Sequence, residues 1–543
     1  MLPLKRFFVC LPFVLTSSIA WAQCDPLEQQ KLEASDEAQA WYFGADVAID
    51  GDVAIVGAPI AHGVGSAYIF RRTPSGWVEE AILSASDPAA ADEFGWDVAI
   101  HGDVAVVGAP GKSSRYRGQG AAYVFRRRAA GRQWLQEAKL EAAPVGRDHY
   151  FGEAVAVNAG RIAVAAPNDG GGVAYIYRPM DRHMGGGRWL LESKIVPATG
   201  LIVPRGFGTD VVLDGETLYV GASDSNVGNF YAAGAVFIYQ REGPLWEHQQ
   251  TVTESPPTDL AMFGWSISVA GNTMAVGASM HYRLPDYAHT GAAYIFRRIP
   301  ASPSGGRQRW VAEAFFEDPS GQDGERFGKS VATDGEVLLV GAEYDELLEG
   351  TSADFTSGSV FVYTRDDSGW SFFREFDGSD TAPGDGFGRI AVLDQGTALI
   401  GALGNQGEGA AYVFRIDSAW RHTYGTGWRG TLGIPRLALS DDPASGSDVT
   451  IAIENSRGSD TLGLMLVGLS QADAQTGLGG RLLVTPLTTV FLVIPATGLD
   501  LGFRVPEDPG FCGVSIFTQV LELDSGASHG VSFSMGLELR IGA

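Results

Sequence analysis

The dipeptide Phe-Gly occurs seven times, at Phe43, Phe94, Phe151, Phe207, Phe263, Phe327 and Phe387, and each copy opens the same run of sequence. The intervals range from 51 residues (Phe43 to Phe94) to 64 (Phe263 to Phe327). The clearest copies read FGADVAIDGDVAIVGAP from Phe43 and FGWDVAIHGDVAVVGAP from Phe94. Each is followed by a variable stretch, then SAYIF or AAYVF, a basic turn and a Trp-led segment such as WVEEAILSAS. Each repeat therefore reads as four short strands. The first two are joined at a glycine present in every copy (Gly51, Gly102, Gly160, Gly215, Gly271, Gly335, Gly396). Asp50-Gly51, Asp214-Gly215 and Asp334-Gly335 suit a two-residue hairpin whose central positions both need positive φ. Strand two (VAIVGA, IAVAA, MAVGA) is almost wholly apolar, as expected of a strand covered on both faces. Four-stranded repeats of this length predict a propeller.

The ends of the repeat region predict how it closes. The seventh copy supplies strand one, strand two (TALIGA) and strand three (AAYVF) but no matching fourth strand. Residues Leu27 to Asp36, LEQQKLEASD, match the fourth strand VEEAILSASD and stand just ahead of the first Phe-Gly. The expected fold is all-β: a seven-bladed β-propeller closed by an N-terminal strand, followed by a small C-terminal β-sandwich. The expected boundaries are 1–22 for a signal peptide, 23–420 for the propeller and 421–543 for the sandwich.

This pattern resembles the FG-GAP repeat family, which includes the integrin α N-terminal propellers and secreted bacterial relatives. The resemblance implies extracellular ligand binding or cell adhesion, and often calcium held in blade loops. The calcium does not transfer to this chain. The joints between strands one and two are reduced to IDGD, IHGD, VNAGR, LDGE, VAGN, TDGE and LDQG. None supplies the oxygen ligands at alternating positions that a calcium loop requires. No cofactor is expected.

The N-terminus reads as an export signal. Lys5 and Arg6 precede an apolar run from Phe7 to Ala20, and Ala20-Trp21-Ala22 supplies a cleavage site. A lipoprotein reading at Cys24 conflicts with Gln23, where a small residue is needed. The expected location is secreted, extracellular or periplasmic, or cell-surface associated. The formal net charge of −25 argues against nucleic acid and anionic membrane as partners. No segment is apolar enough for a membrane span. Of three cysteines, Cys10 leaves with the signal, and Cys24 and Cys512 either pair or stay as two thiols.

Beyond Trp420 a stretch rich in glycine, proline and small polar residues precedes about seven short strands, the pattern of a sandwich. Nucleophile elbows, phosphate loops and Cys-x-x-Cys or HExxH motifs are all absent from the sequence. His281 and His289 share a loop without metal-ligand spacing. Asp46, Asp97 and Asp210 stand three places after their Phe. They either converge on the channel or bond their own turns, as Ser266 and Ser330 would; the second is the expectation. Tyr68, Tyr123, Tyr175, Tyr294 and Tyr412, with Trp77, Trp134, Trp189, Trp246, Trp310 and Trp370, follow the repeat and are expected to pack between blades.

Individuality lies in the loops between strands two and three. These are short in blades one, three and seven and long in two, four, five and six (SDSNVGNFYAAG, SMHYRLPDYAHTG, EYDELLEGTSADFTSG in the last three). Tyr231, Tyr282, Arg283, Tyr287 and Phe355 are the candidate ligand-binding residues. Asp345, Glu346, Glu349 and Asp354 are weak metal candidates, with a solvated acidic loop as the plainer reading. The expected function is a non-enzymatic binding or adhesion protein whose partner is an extracellular protein or glycan. The alternatives are a structural envelope or matrix component, and an enzyme acting on polysaccharide from the same scaffold.

Overall fold

The computed structural model describes residues 27–36, 41–128, 133–180, 188–198, 202–282, 289–300, 308–319, 326–343, 357–366, 369–416, 420–440, 443, 447–506, 511 and 514–542. The chain divides into two compact units, which part between Ile416 and Asp417. The signal segment, Cys24 and Cys512 fall outside the described residues.

The unit from Pro26 to Ile416 is built of small antiparallel sheets in a propeller-like arrangement. Seven of them have four strands. Sheet one comprises Val47–Asp50, Val53–Ala58, Ser66–Thr73 and Gly76–Leu83. Sheets two to six repeat this order from Val98, Val155, Phe207, Phe263 and Phe327. Sheet seven takes Ile390–Asp394, Thr397–Ala402 and Ala410–Arg415, and its fourth strand is Leu27–Leu32 from the start of the chain. Strand one of each sheet packs beside strand one of the next, and that of sheet seven beside that of sheet one.

Sequence accounts for each layer. Strand two is buried at every position from Val53 to Ala58, with sheets packed on both of its faces. The Phe of each Phe-Gly is buried and meets two strand-three aromatics edge-on, as Phe43 meets Tyr68 at 5.2 Å and Phe70 at 6.1 Å. Burying such a ring is worth about 1.5–3 kcal/mol. The repeat Tyr residues also end in a polar contact. The Tyr68 hydroxyl donates to Asp36 (2.9 Å), that of Tyr123 to Asp87 (2.7 Å) and that of Tyr412 to Asp380 (2.5 Å). Trp77, Trp134, Trp246 and Trp310 are buried, while Trp189 is half-buried.

The hairpins differ from the expectation in one respect. Asp50 is still in the ladder, opposite Val53, so the central pair of the turn is Gly51-Asp52 and only Gly51 has positive φ (57°). Two left-handed residues occur instead at Ala159-Gly160 and Gln395-Gly396.

The unit from Asp417 contains eleven described strands. The larger sheet runs Trp420–Tyr424, Gly536–Arg540, Ser515–Leu523, Thr461–Gly468 and Thr488–Ile494, with Val531–Phe533 paired to Ser515–Leu523. A three-stranded sheet of Leu437–Leu439, Asp448–Ile453 and Leu499–Arg504 shares one apolar core with it, where Val449, Ile451 and Ile453 pack with Leu492, Ile494, Val520 and Leu539. Strand Trp420–Tyr424 lies in the stretch that composition assigned to an irregular connection.

Candidate ligand-binding face

Because the four strands of a sheet alternate in direction, one end of every sheet carries the start of strand one, the loop between strands two and three, and the exit of strand four. On this face, sheets three, four and five enclose an open cavity of about 500 Å3. Asn168, Arg205, Asp224, Tyr231, Leu260 and Met262 line it.

Backbone contacts hold its walls. Ile202 and Val203 pair with Val227 and Asn226 in a two-residue ladder. The Arg205 N–H donates to Ser225 Oγ (3.1 Å), and Ser225 Oγ–H returns a bond to the Arg205 carbonyl (3.2 Å). The Tyr231 N–H donates to Asp259 Oδ1 (2.6 Å), and the Leu260 N–H to the Tyr231 carbonyl (2.7 Å). The Tyr231 ring is left 54% exposed at the rim, with Phe230 and Leu260 also exposed. The arrangement offers an aromatic face, an apolar wall and charges of both signs, the kit with which a preformed concave site fixes a ligand.

Of the residues singled out from sequence, Tyr231 lies in this cavity. Tyr282 does not line it; its ring stands 5.5 Å from that of His289. Arg283, Tyr287 and Phe355, and the acidic residues Asp345, Glu346, Glu349 and Asp354, lie outside the described residues. Among the described residues no group of His, Cys, Asp or Glu is arranged to hold a metal ion. His281 is buried, with Nδ1 2.5 Å from Glu254 and Nε2 3.4 Å from Glu317.

Asp46 and Asp210 each take a backbone bond within their own repeat, from Val47 and Val211, but the aspartates after Phe-Gly also reach beyond it. Each accepts a hydrogen bond from the backbone of strand one in the next sheet: Asp46 from Val98 (2.6 Å), Asp97 from Val155 (2.5 Å) and Asp210 from Ile267 (2.7 Å). Ser266 accepts likewise from Val331 (3.1 Å), and Ser330 donates to the Gly388 carbonyl (2.9 Å). Strand one is the edge of its sheet, so its outward N–H groups have no ladder partner on that side, and the short side chain of the preceding repeat supplies one.

The same geometry brings like charges together. The Asp46 charge bears on both Asp97 and Asp210, and the Asp210 charge bears on Asp97. Burial pushes the Asp46 carboxyl up to about 6, against the backbone bond from Val98 and the field of Arg389. Asp97 is raised well above the usual range by burial and then by Asp46. Burial likewise raises Asp210 to about 7. Glu153 rises to about 7 by burial and the nearby Glu93. Asp46, Asp210 and Glu153 thus change charge at about 6 to about 7 rather than in the ordinary carboxylate range.

Sequence reasoning overlooked the residue directly after Phe-Gly. It is Ala45, Trp96, Glu153, Thr209, Trp265, Lys329 and Arg389 in turn. The Lys329 ammonium sits 4.1 Å from the Trp265 ring centroid, Arg389 Nη1 is 2.6 Å from Glu343 Oε1, and Trp96 is partly exposed. The available signal was a position that differs in nearly every copy directly after a Phe-Gly that never does, the mark of a place where the scaffold makes little demand.

The fold and this face define a propeller-like repeat protein. The FG-GAP repeat is matched in five segments, 26–70, 77–125, 246–296, 310–363 and 370–414, and the chain belongs to that repeat family. Each match begins in or near the outermost strand of one sheet and ends in strand three of the following sheet. The copies at Phe151 and Phe207 fall outside the matched segments yet form the same four-stranded sheets. No curated protein matches the chain by sequence. Among solved structures, Sqt1 of Saccharomyces cerevisiae is 11% identical, covering 88% of this chain and 100% of its own, with a TM-score of 0.37. Sqt1 of Chaetomium thermophilum is 13% identical, covering 77% and 93%, with a TM-score of 0.38. Likenesses this loose bear on nothing that follows.

Proposed function

We propose that the seven sheets are the blades of a propeller closed by the strand Leu27–Leu32, and that this propeller is a secreted, non-enzymatic binding or adhesion protein. Its ligand face is the one carrying the loops between strands two and three, and its partner is an extracellular protein or glycan. The observation that carries this reading is the cavity on sheets three to five, with Tyr231 exposed at its rim and its walls fixed by backbone bonds. Closure is supported by the pairing of Leu27–Leu32 with Ala410–Arg415.

The test is binding of the purified chain to an array of glycans and extracellular proteins, with calcium and again with chelator. The expected result is saturable binding unaffected by chelator, because the short joints between strands one and two, from Gly51-Asp52 in sheet one to 334–337 in sheet six, leave no room for a calcium loop. Absence of any binding would favour a structural envelope role.

One observation favours an enzyme instead. Burial raises the Asp46 and Asp210 carboxyls to about 6 and about 7 and the Asp46 charge bears on Asp210, the kind of pair that acid and base chemistry uses. Turnover of a polysaccharide substrate, lost in Asp210→Asn, would replace the binding reading with this one.

A further inference from the structure

Strand Thr488–Ile494 is the last strand of the larger sheet in the C-terminal unit. Among the described residues it pairs on one side only, with Thr461–Gly468. An edge of this kind presents free backbone donors and acceptors, and proteins ordinarily guard it with Lys, with proline or with cover. This strand, TTVFLVI, contains neither charge nor proline. The surrounding sequence is equally uncharged, from Thr461 to Ala472 and from Leu482 to Leu499, in a chain of net charge −25.

The two faces of the strand differ. Val490, Leu492 and Ile494 turn into the core shared with the smaller sheet. Thr489, Phe491 and Val493 turn outward, with Phe491 86% and Val493 66% exposed, and Leu462 beside Val493 on the neighbouring strand is 57% exposed. The hairpin Gln471–Gln475 and Arg481–Val484 covers another part of this outer face, where Val484 packs with Leu466 and Phe517. The patch at the edge is its uncovered continuation.

We propose that this edge is the contact between two copies of the chain, joined as antiparallel strands about a two-fold axis at Phe491. The strand is self-complementary in that register and in no neighbouring one-residue slip. Centring on Phe491 sets Phe491 against its own counterpart, Thr489 against the second copy's Val493, and Val490 against the second copy's Leu492. Outward residues thus meet outward residues and core residues meet core residues, as pairing across one continuous sheet requires. A second copy also explains the absence of charge: two strongly acidic chains repel everywhere except across such a neutral strip.

The experiment is light scattering on size-separated full chain across a dilution series, comparing wild type with Phe491→Lys and Val493→Lys. Both side chains are exposed, so the variants should still fold with the wild-type β-sheet content, which circular dichroism checks alongside. The expected result is a wild-type mass twice that of one chain, falling to one chain in both variants. A wild type that stays single at its highest concentration would overturn the proposal, as would a dimer that both variants leave intact. A photo-crosslinking residue at position 491 gives an independent reading: linkage to residues 489–493 of the other copy is expected, and linkage elsewhere contradicts the register.

Discussion

The carbonyl oxygen of Gly95 lies 2.1 Å from the point where a β-carbon on Gly57 would stand. Gly57 is the glycine of GAP in the first repeat and Gly95 the glycine of Phe-Gly in the second. The same contact recurs between Gly108 and Gly152, Gly221 and Gly264, Gly277 and Gly328, and Gly341 and Gly388. It also joins Gly401 of the last sheet to Gly44 of the first. The two motifs that name this repeat are thus the two halves of one backbone contact between neighbouring sheets.

Gly57→Ala should therefore lower stability by about 1–3 kcal/mol, the usual cost of forcing atoms into a packed interior. Sheet three provides the comparison, since Ala165 occupies the corresponding place and its Cβ faces Gly208. Ala165→Gly should cost under about 1 kcal/mol, mostly backbone freedom. Chemical denaturation of both variants checks the difference.

The aspartates that follow Phe-Gly predict a pH dependence with a defined sign. Asp46, raised to about 6, and Asp210, raised to about 7, hold protons more tightly folded than unfolded. From the ordinary carboxylate value of about 4 up to about 7, the folded chain binds the extra protons, so their contribution to stability falls as pH rises. Asp46→Asn keeps an acceptor for the Val98 N–H and removes the charge. Relative to wild type, this variant should gain about 1–3 kcal/mol between about pH 5 and about pH 8. Unfolding free energies at the two pH values test this; equal changes in both proteins would contradict it.

Gln30, on the N-terminal strand, both donates to the Trp77 carbonyl (2.8 Å) and accepts from its N–H (2.7 Å). Gln250 makes the same pair of bonds with Trp310 (both 2.8 Å) between sheets four and five. If the two junctions are equivalent, Gln30→Ala and Gln250→Ala should each cost about 1–3 kcal/mol. A free ride for Gln30→Ala alone would mean that the N-terminal strand is loosely held.

Much of the repeat architecture was legible because its signals are local. The alternation of strand one, the apolar strand two and the recurring glycine specify a hairpin, and the spare match at Leu27–Asp36 locates the displaced fourth strand. The turn was misread by one residue because Asp-Gly is equally compatible with a ladder position followed by the first turn residue. The role of Asp46 was hidden for a different reason. Its partner, Val98, is contributed by the next repeat, and sequence periodicity does not say whether a side chain bonds within its own unit or across the junction. The binding face was partly legible: loop length pointed to Tyr231, but Arg205 and Asp224 join it only through packing of sheets three to five. Strand Trp420–Tyr424 was missed because its partner, Gly536–Arg540, lies at the far end of the chain.

The most direct test of the binding reading is calorimetric titration of the strongest array ligand into wild type and Tyr231→Ala. Tyr231 is exposed, so its removal should leave the unfolding midpoint unchanged. An aromatic anchor at a cavity rim is worth about 2 kcal/mol or more, a loss of roughly thirtyfold in affinity. Loss on that scale with unchanged stability is the predicted result; wild-type affinity in Tyr231→Ala would contradict the assignment of this cavity as the ligand site.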